Sequence, residues 1–271
     1  MPVLVNGSPA DQLPVCDRGF LYGDGVFETL RFQASTIPLW AYHRARLEKS
    51  LVRLGIDCDI DVVASDIQQL LSQVDTTEGV LRITVTRGDG QGGYAAGDGV
   101  PRRVVASKPL PAMAHASANV RLCDWRLPVQ PALAGIKHLN RLDQVMARRE
   151  WSDDTVFDGL LMDATGALIE STVCNLFIRS GDQWLTPDLS RCGVAGVMRA
   201  WLLAEGLPAL GYDPDVRDIS LTQLLNAEAV FLCNSVRGIV PVTRLIAPEV
   251  HWPVDAVTQQ LQRTVEALWH A

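Results

Sequence analysis

Only three of the 24 basic residues are lysines (Lys49, Lys108 and Lys137), so a search for amine chemistry in this chain is short. Lys137 stands in Pro131-Ala132-Leu133-Ala134-Gly135-Ile136-Lys137-His138-Leu139-Asn140-Arg141, among small and apolar neighbours just ahead of a helix-forming run. Partial burial disfavours an ammonium ion, and a lysine desolvated in this way can act as a Schiff-base nucleophile and then carry a proton. Taken alone, the local sequence favours a plainer arrangement, in which the stem lies on apolar surface and the head reaches water.

Three further features carry chemistry if the fold buries them. Arg44 falls three residues before Leu47 and seven before Leu51, which puts a guanidinium on the apolar stripe of a helix. A cation there needs an anion, either an internal carboxylate or a bound phosphate. The run Gly193-Val194-Ala195-Gly196-Val197-Met198-Arg199 leads into an apolar helix, and free N–H groups at a helix start can cradle a phosphate. A plain turn fits the same run. Glu170 ends the strand Ala167-Leu168-Ile169 and shares the face of Leu168. Buried, it requires a cationic or proton-donating partner; at a strand end in water it requires none.

The elements that must position these residues are legible from periodicity. Val3–Val5, Val26–Phe32, Val80–Thr86 and Arg103–Ala106 read as strands, while Trp40–Leu54 and Asp59–Gln73 have helical spacing. Beyond them come a strand at Val120–Cys123, a helix at Arg141–Trp151, and a hairpin turning through Asp163-Ala164-Thr165-Gly166 into Ala167–Glu170. Strands follow at Asn175–Ile178 and Ala229–Cys233, with helices starting near Val197 and Asp255. Interleaved strands and helices give an α/β (α+β) class with mixed sheets. The proline-containing, small-residue stretch after Lys108 divides the chain into an N-terminal α/β domain at 1–110, a linker at 111–119 and a C-terminal α/β domain at 120–271.

With 48% hydrophobic and 20% charged residues, the 271-residue chain has the composition of a folded globule. Its net charge of -7 opposes binding to nucleic acid or to anionic membranes. No apolar run approaches spanning length, and the start lacks a basic region followed by an apolar stretch, so a cytoplasmic location is the expectation. The six cysteines are scattered without a C-x-x-C pair or zinc spacing, and no metal is expected.

In their order along the chain these features resemble the fold-type IV pyridoxal-phosphate enzymes, the family of the branched-chain and D-amino-acid aminotransferases and the aminodeoxychorismate lyases. The resemblance runs from Asp17-Arg18-Gly19 and Tyr22-Gly23-Asp24-Gly25-Val26-Phe27-Glu28-Thr29 to Cys233-Asn234-Ser235, most of the chain. It implies a two-domain fold with pyridoxal 5'-phosphate held by Lys137. By the same resemblance Arg44 binds the cofactor phosphate, and Gly196, Val197 and Met198 offer it a helix start. Ser235 matches a phosphate-binding hydroxyl, Glu170 pairs with the pyridine nitrogen, and Asn175 lies beside the cofactor strand. A homodimer is implied as well.

Within the family, the segment Ala134–Leu142 is similar to the lyase branch. Phe27 stands where D-amino-acid aminotransferases usually carry tyrosine, and the loop Arg87-Gly88-Asp89-Gly90-Gln91-Gly92-Gly93-Tyr94 lacks their second basic cluster. The implied reaction converts 4-amino-4-deoxychorismate to p-aminobenzoate and pyruvate, a step of folate biosynthesis. Lys137 would be its base, Thr29 would lie near the reacting atoms, and Arg87, or Arg31 in its place, would meet a substrate carboxylate. Two other expectations compete: a branched-chain or D-amino-acid aminotransferase of the same fold, and a cofactor-free α/β binding protein in which Lys137 and Arg44 are structural.

Overall fold

Nine residues of alternating character, Gly25–Gln33, form the strand that organises the first of two units in this computed structural model, which describes residues 2–90, 92–97, 99–112 and 117–270. The first unit takes in Met1–Pro111 together with Ile136–Asn140. Its strands are β1 (Val3–Val5), β2 (Ser8–Pro9), β3 (Gly25–Gln33), β4 (Glu78–Thr86) and β5 (Arg102–Lys108), and its helices α1 (Arg18–Tyr22), α2 (Trp40–Leu54) and α3 (Ile60–Leu71). The sheet order is β2-β1-β5-β4-β3, antiparallel throughout.

Because side chains alternate across a strand, β3 has two distinct faces. Val26, Leu30 and Phe32 point into a core with Leu81, Ile83, Val85 and Val105 from the neighbouring strands and with Leu47, Leu51, Val63, Ile67 and Leu70 from α2 and α3. Phe27, Thr29 and Arg31 occupy the opposite face. The register sets Thr84 across from Phe27 and Arg82 across from Thr29.

The second unit takes in Ala112–Gly135 and Arg141–Ala271. Its strands are β6 (Ala118–Leu127), β7 (Asp158–Asp163), β8 (Ala167–Ser171), β9 (Asn175–Ser180), β10 (Gln183–Pro187), β11 (Asp215–Arg217), β12 (Ile219–Ser220), β13 (Ala229–Asn234), β14 (Gly238–Leu245) and β15 (Val250–His251). Its helices are α4 (Leu142–Arg148), α5 (Val197–Trp201), α6 (Leu221–Leu225) and α7 (Ala256–His270). Among the described residues these strands form one mixed sheet ordered β11-β10-β9-β13-β14-β6-β7-β8-β12, with β15 on β14. Pairing is parallel at β10/β11, β14/β6 and β6/β7. Leu160, Leu176, Ile178, Leu232 and Val242 lie at the centre of its core.

The α/β (α+β) fold expected from the sequence is therefore present, with one antiparallel and one mixed sheet. The division of the chain differs at one place that matters. Residues 136–140, expected within the 120–271 part, belong to the first unit, because this segment runs as a short antiparallel partner of β3: Phe27 N–H donates to Lys137 O at 2.9 Å and Leu139 N–H to Gly25 O at 3.0 Å. Of the expected linker at 111–119, Ala118 and Asn119 already lie in β6, and 113–116 fall outside the described residues. Among the described residues no helix is long and apolar enough to cross a membrane, and no group of three or more His, Cys, Asp or Glu side chains is placed to hold a metal.

Candidate active site

In the first unit, Lys137 is fixed by the backbone of β3 on one side and by Asn140 on the other, whose amide donates to Gly23 O at 3.1 Å. Its Nζ lies 4.5 Å from the centroid of the Phe27 ring, on the β3 face that also carries Thr29. An ammonium over an aromatic face gains electrostatic attraction while losing water. Lys137 is half-buried, neither a core group nor a freely solvated one.

The other face of β3 holds a charged cluster that the sequence reading missed. Glu28, 1% exposed, sits at a core-facing position and accepts from Arg46 Nε at 2.8 Å, Arg46 Nη2 at 2.5 Å and His43 Nδ1 at 2.7 Å. Burial pushes its carboxyl up, but the Arg46 charge and the His43 and Arg46 hydrogen bonds outweigh this and bring it down to about 2. Burial holds the His43 imidazole below its ordinary value against the pull of Glu28, and the charges of Arg46 and Lys137 push the same way.

Arg44 is not on the core-facing stripe. The buried residues of α2 are His43, Leu47, Ser50 and Leu51, which leaves Arg44 at the edge, its Nε on Glu48 at 2.9 Å and its Nη1 on Asp61 at 2.7 Å. Its side chain is 39% exposed against 11% for Arg46. The arginine directed inward from α2 is thus Arg46. The signal was a glutamate on the core face of β3, which demands a cation from the helix packed there.

Arg87 is also corrected. Its donors are taken by Asp24, at 2.8 and 3.2 Å, and by the carbonyls of Leu54 and Gly55, at 2.6 and 2.7 Å. It closes the C-terminal end of α2, and four of its five N–H donors are engaged there. Arg31, 5% exposed, reaches the half-exposed Glu78 at 3.4 Å.

In the second unit, Glu170 is 4% exposed, which excludes the solvent-facing alternative. Its Oε2 accepts from Val194 N–H at 2.8 Å and its Oε1 lies 3.5 Å from Gln144 Nε2. The strand end that follows is pinned by buried Asp158. That carboxylate accepts from the hydroxyls of Ser171 and Thr172, both at 2.5 Å, and from the N–H groups of Gly159, Thr172 and Val173. Burial nonetheless keeps the Asp158 carboxyl above its ordinary value. Asp158 is a second residue that the sequence reading passed over.

The loop bearing Val194 is built for close approach. Gly193, at φ +81°, would put a Cβ 2.6 Å from Ile169 Cγ2, and a Cβ on Gly196 would lie 1.9 Å from Asn175 Oδ1. Asn175 Nδ2 in turn donates to Val194 O at 2.9 Å. Gly135 N–H donates to Gly193 O at 2.9 Å and Ala195 N–H to Gly135 O at 3.2 Å, so the chain two residues before Lys137 is a rail for this loop. Gly196 is the N-cap of α5, no side chain caps the helix, and Val197 and Met198 form its buried first turn. Arg199 secures the helix by donating to Thr186 Oγ1 at 3.1 Å and Pro187 O at 2.9 Å. Ser235, half-buried, follows the end of β13. An anchored acid beside a bare helix start is a donor and acceptor set suited to a phosphorylated aromatic base.

Residues 25–245 match the family model for amino-transferase class IV. The chain belongs to the amino-transferase class IV family. Its class IV relatives include the aminodeoxychorismate lyase of Vibrio harveyi, 37% identical over 266 residues that cover 95% of this chain and 97% of that one. The D-alanine aminotransferase of Bacillus licheniformis is 26% identical, covering 90% of this chain and 88% of its own. Among solved class IV structures, the 4-amino-4-deoxychorismate lyase of Pseudomonas aeruginosa superposes with a TM-score of 0.93 at 42% identity, covering 98% of both chains. Class IV enzymes use pyridoxal phosphate, and the cofactor-free binding protein considered from sequence is set aside.

Proposed function

We propose that this chain is an aminodeoxychorismate lyase, converting 4-amino-4-deoxychorismate to p-aminobenzoate and pyruvate. The observation that carries this reading is end-to-end similarity to two lyases, at 37% and 42% identity, well above the 26% shared with the aminotransferase.

Lys137 would hold the cofactor as a Schiff base, with Glu170 serving its ring nitrogen. The first turn of α5 at Gly196, Val197 and Met198, with Ser235, would serve its phosphate. Arg46, the inward-directed arginine of α2, would take the phosphate-binding role expected of Arg44. Bound pyridoxal phosphate supplies an electron sink for the carbon that carries the substrate amine. The protein's own part is proton handling. The Lys137 amine removes the proton from the amine-bearing ring carbon, and the bond from the ring to the enolpyruvyl oxygen breaks. A proton reaches the enolpyruvyl methylene, pyruvate leaves, and the ring becomes aromatic. Glu170, fixed by Val194 N–H, would supply the acidic partner for a protonated ring nitrogen, and Asn175 holds the loop that supplies that N–H. Thr29 stands on the Lys137 side of β3, suited to orient the substrate near that amine. A homodimer in the cytoplasm belongs to the same proposal.

The test is a lactate dehydrogenase-coupled assay of pyruvate release from synthetic 4-amino-4-deoxychorismate, run beside amino transfer from D-alanine and from glutamate. Release of pyruvate with p-aminobenzoate in equal amounts is the expected result. Amino transfer without release would overturn the reading in favour of an aminotransferase. Borohydride reduction should fix the cofactor at position 137, and Lys137→Ala should lose turnover by at least roughly a thousandfold with its fold intact.

A further inference from the structure

Arg82 is the exception among the half-buried and buried arginines of the first unit. Arg18 and Arg87 pair with Asp24, Arg31 with Glu78, Arg46 with Glu28, Arg102 with Asp17 and Arg103 with Asp66. Among the described residues no carboxylate pairs with Arg82. Burial pushes its guanidinium below the ordinary value, and no charge acts in the other direction. Its contact is instead the Phe27 ring, whose centroid lies 4.1 Å from Arg82 Cζ. Lys137 Nζ lies 4.5 Å from the same centroid. Register places Arg82 directly across from Thr29 and two pairs along from Phe27 and Thr84, on the face away from the hydrophobic core.

A desolvated cation that no internal acid balances has a standing deficit of negative charge. Stacking on an aromatic face orients the planar guanidinium and leaves its N–H edge as a ready fork for a carboxylate, a geometry that lysine cannot reproduce. We propose that Arg82 is the anchor for a substrate carboxylate and sets the specificity of this face for an anionic substrate whose amine reacts at Lys137. This deepens the lyase reading and rests on it, since 4-amino-4-deoxychorismate carries two carboxylates. It also moves the anchoring role from Arg87, whose charge is paired with Asp24 and four of whose N–H groups are engaged, to Arg82 on β4, which no carboxylate pairs among the described residues.

The experiment uses holoenzyme of wild type, Arg82→Met, which keeps an apolar stem over Phe27, and Arg82→Lys, which keeps the charge without the fork. Visible absorbance of the bound cofactor is titrated with 4-aminobenzoate and with pyruvate, each of which retains one of the two carboxylates, and with neutral 4-aminobenzamide. For one of the two carboxylates, Arg82→Met should bind at least about tenfold more weakly and Arg82→Lys should fall between. The amide should bind all three proteins alike. In turnover, KM should rise by a similar factor with kcat changed far less.

Equal binding of both carboxylates by wild type and variant would overturn the proposal, as would a uniform loss for the amide, which would mark Arg82 as packing for Phe27. Should Arg82→Met fail to fold, Arg82→Lys decides alone, and an unchanged KM and unchanged carboxylate affinity would overturn it. Absence of pyruvate release from wild type would instead count against the lyase reading, and the binding titration would still judge Arg82.

Discussion

Glu28 grips Arg46 with both carboxylate oxygens, Oε1 on Nε at 2.8 Å and Oε2 on Nη2 at 2.5 Å, on the core side of the strand whose other face meets Lys137. The Glu28 carboxyl is brought down to about 2 from 4.5, so its native form is the carboxylate over all ordinary pH. For a carboxyl depressed on folding, the stabilisation is fully present above the unfolded value and disappears as pH falls through the folded one. The window here runs from about pH 4.5 down to about 2, and the shift corresponds to something on the order of 3 kcal/mol. Glu28→Gln should flatten that acid limb and cost about 3 kcal/mol at pH 7, because Arg46 is left buried without its anion. Urea unfolding at pH 7, 4 and 3 measures both effects. Parallel pH dependences for wild type and variant would show that the pair is not what loses stability in acid.

Arg44 and Arg46 are two residues apart and should behave oppositely. Arg44→Ala removes an exposed guanidinium bound to Glu48 and Asp61, and cofactor affinity should stay within about twofold. Arg46→Ala removes the inward cation and should weaken pyridoxal phosphate binding by roughly tenfold or more. Fluorescence titration of apoenzyme with the cofactor separates them, and a larger effect from Arg44 would restore the assignment made from helical spacing.

Glu170 accepts a short hydrogen bond from Val194 N–H, at 2.8 Å, and is only 4% exposed. Glu170→Gln keeps the size and one acceptor oxygen but deletes the charge that a protonated ring nitrogen requires. We expect kcat to fall by roughly a hundredfold while the cofactor remains bound and unfolding shifts little. A red or blue shift of the visible band should accompany the loss. Wild-type kcat in this variant would remove Glu170 from the electron-sink role.

The parts of the candidate site that were legible in the sequence were those with a local signature. Lys137 stood out by rarity and apolar setting, Gly196 by preceding an apolar helix, and Glu170 by closing an alternating strand. What stayed hidden depended on pairing across distance. Arg46 could be chosen over Arg44 only after β3 was seen to turn Glu28 toward α2, a choice separated by 18 residues. Arg82 looked like an ordinary polar residue of an alternating strand until register placed it opposite Thr29. The strand β14 was missed for a different reason. Pro241 within it argues against a central strand, yet β14 lies between β13 and β6 with Pro241 opposite Phe231. The helix expected to reach Trp151 ends at Arg148, and the Glu150 carboxylate beyond it accepts from the N–H groups of Asp124 and Trp125.

Gly196 and Asn175 offer a prediction in which two changes partly cancel. A methyl on Gly196 would lie 1.9 Å from Asn175 Oδ1, too close to be tolerated without displacing the amide that holds Val194 O. The backbone at 196 is not the obstacle, since its φ of -66° suits any residue. Gly196→Ala should therefore destabilise the chain by about 1–3 kcal/mol through overpacking, and Asn175→Ala by about 1–2 kcal/mol through the lost hydrogen bond. In the double variant the methyl occupies the space the amide vacated, so the combined cost should be smaller than the sum by about 1 kcal/mol or more. Cofactor retention should follow the same order, because both residues set the loop that leads into α5. Denaturant unfolding of the four proteins closes the cycle, and strict additivity would show that the contact between these two side chains does not govern the loop.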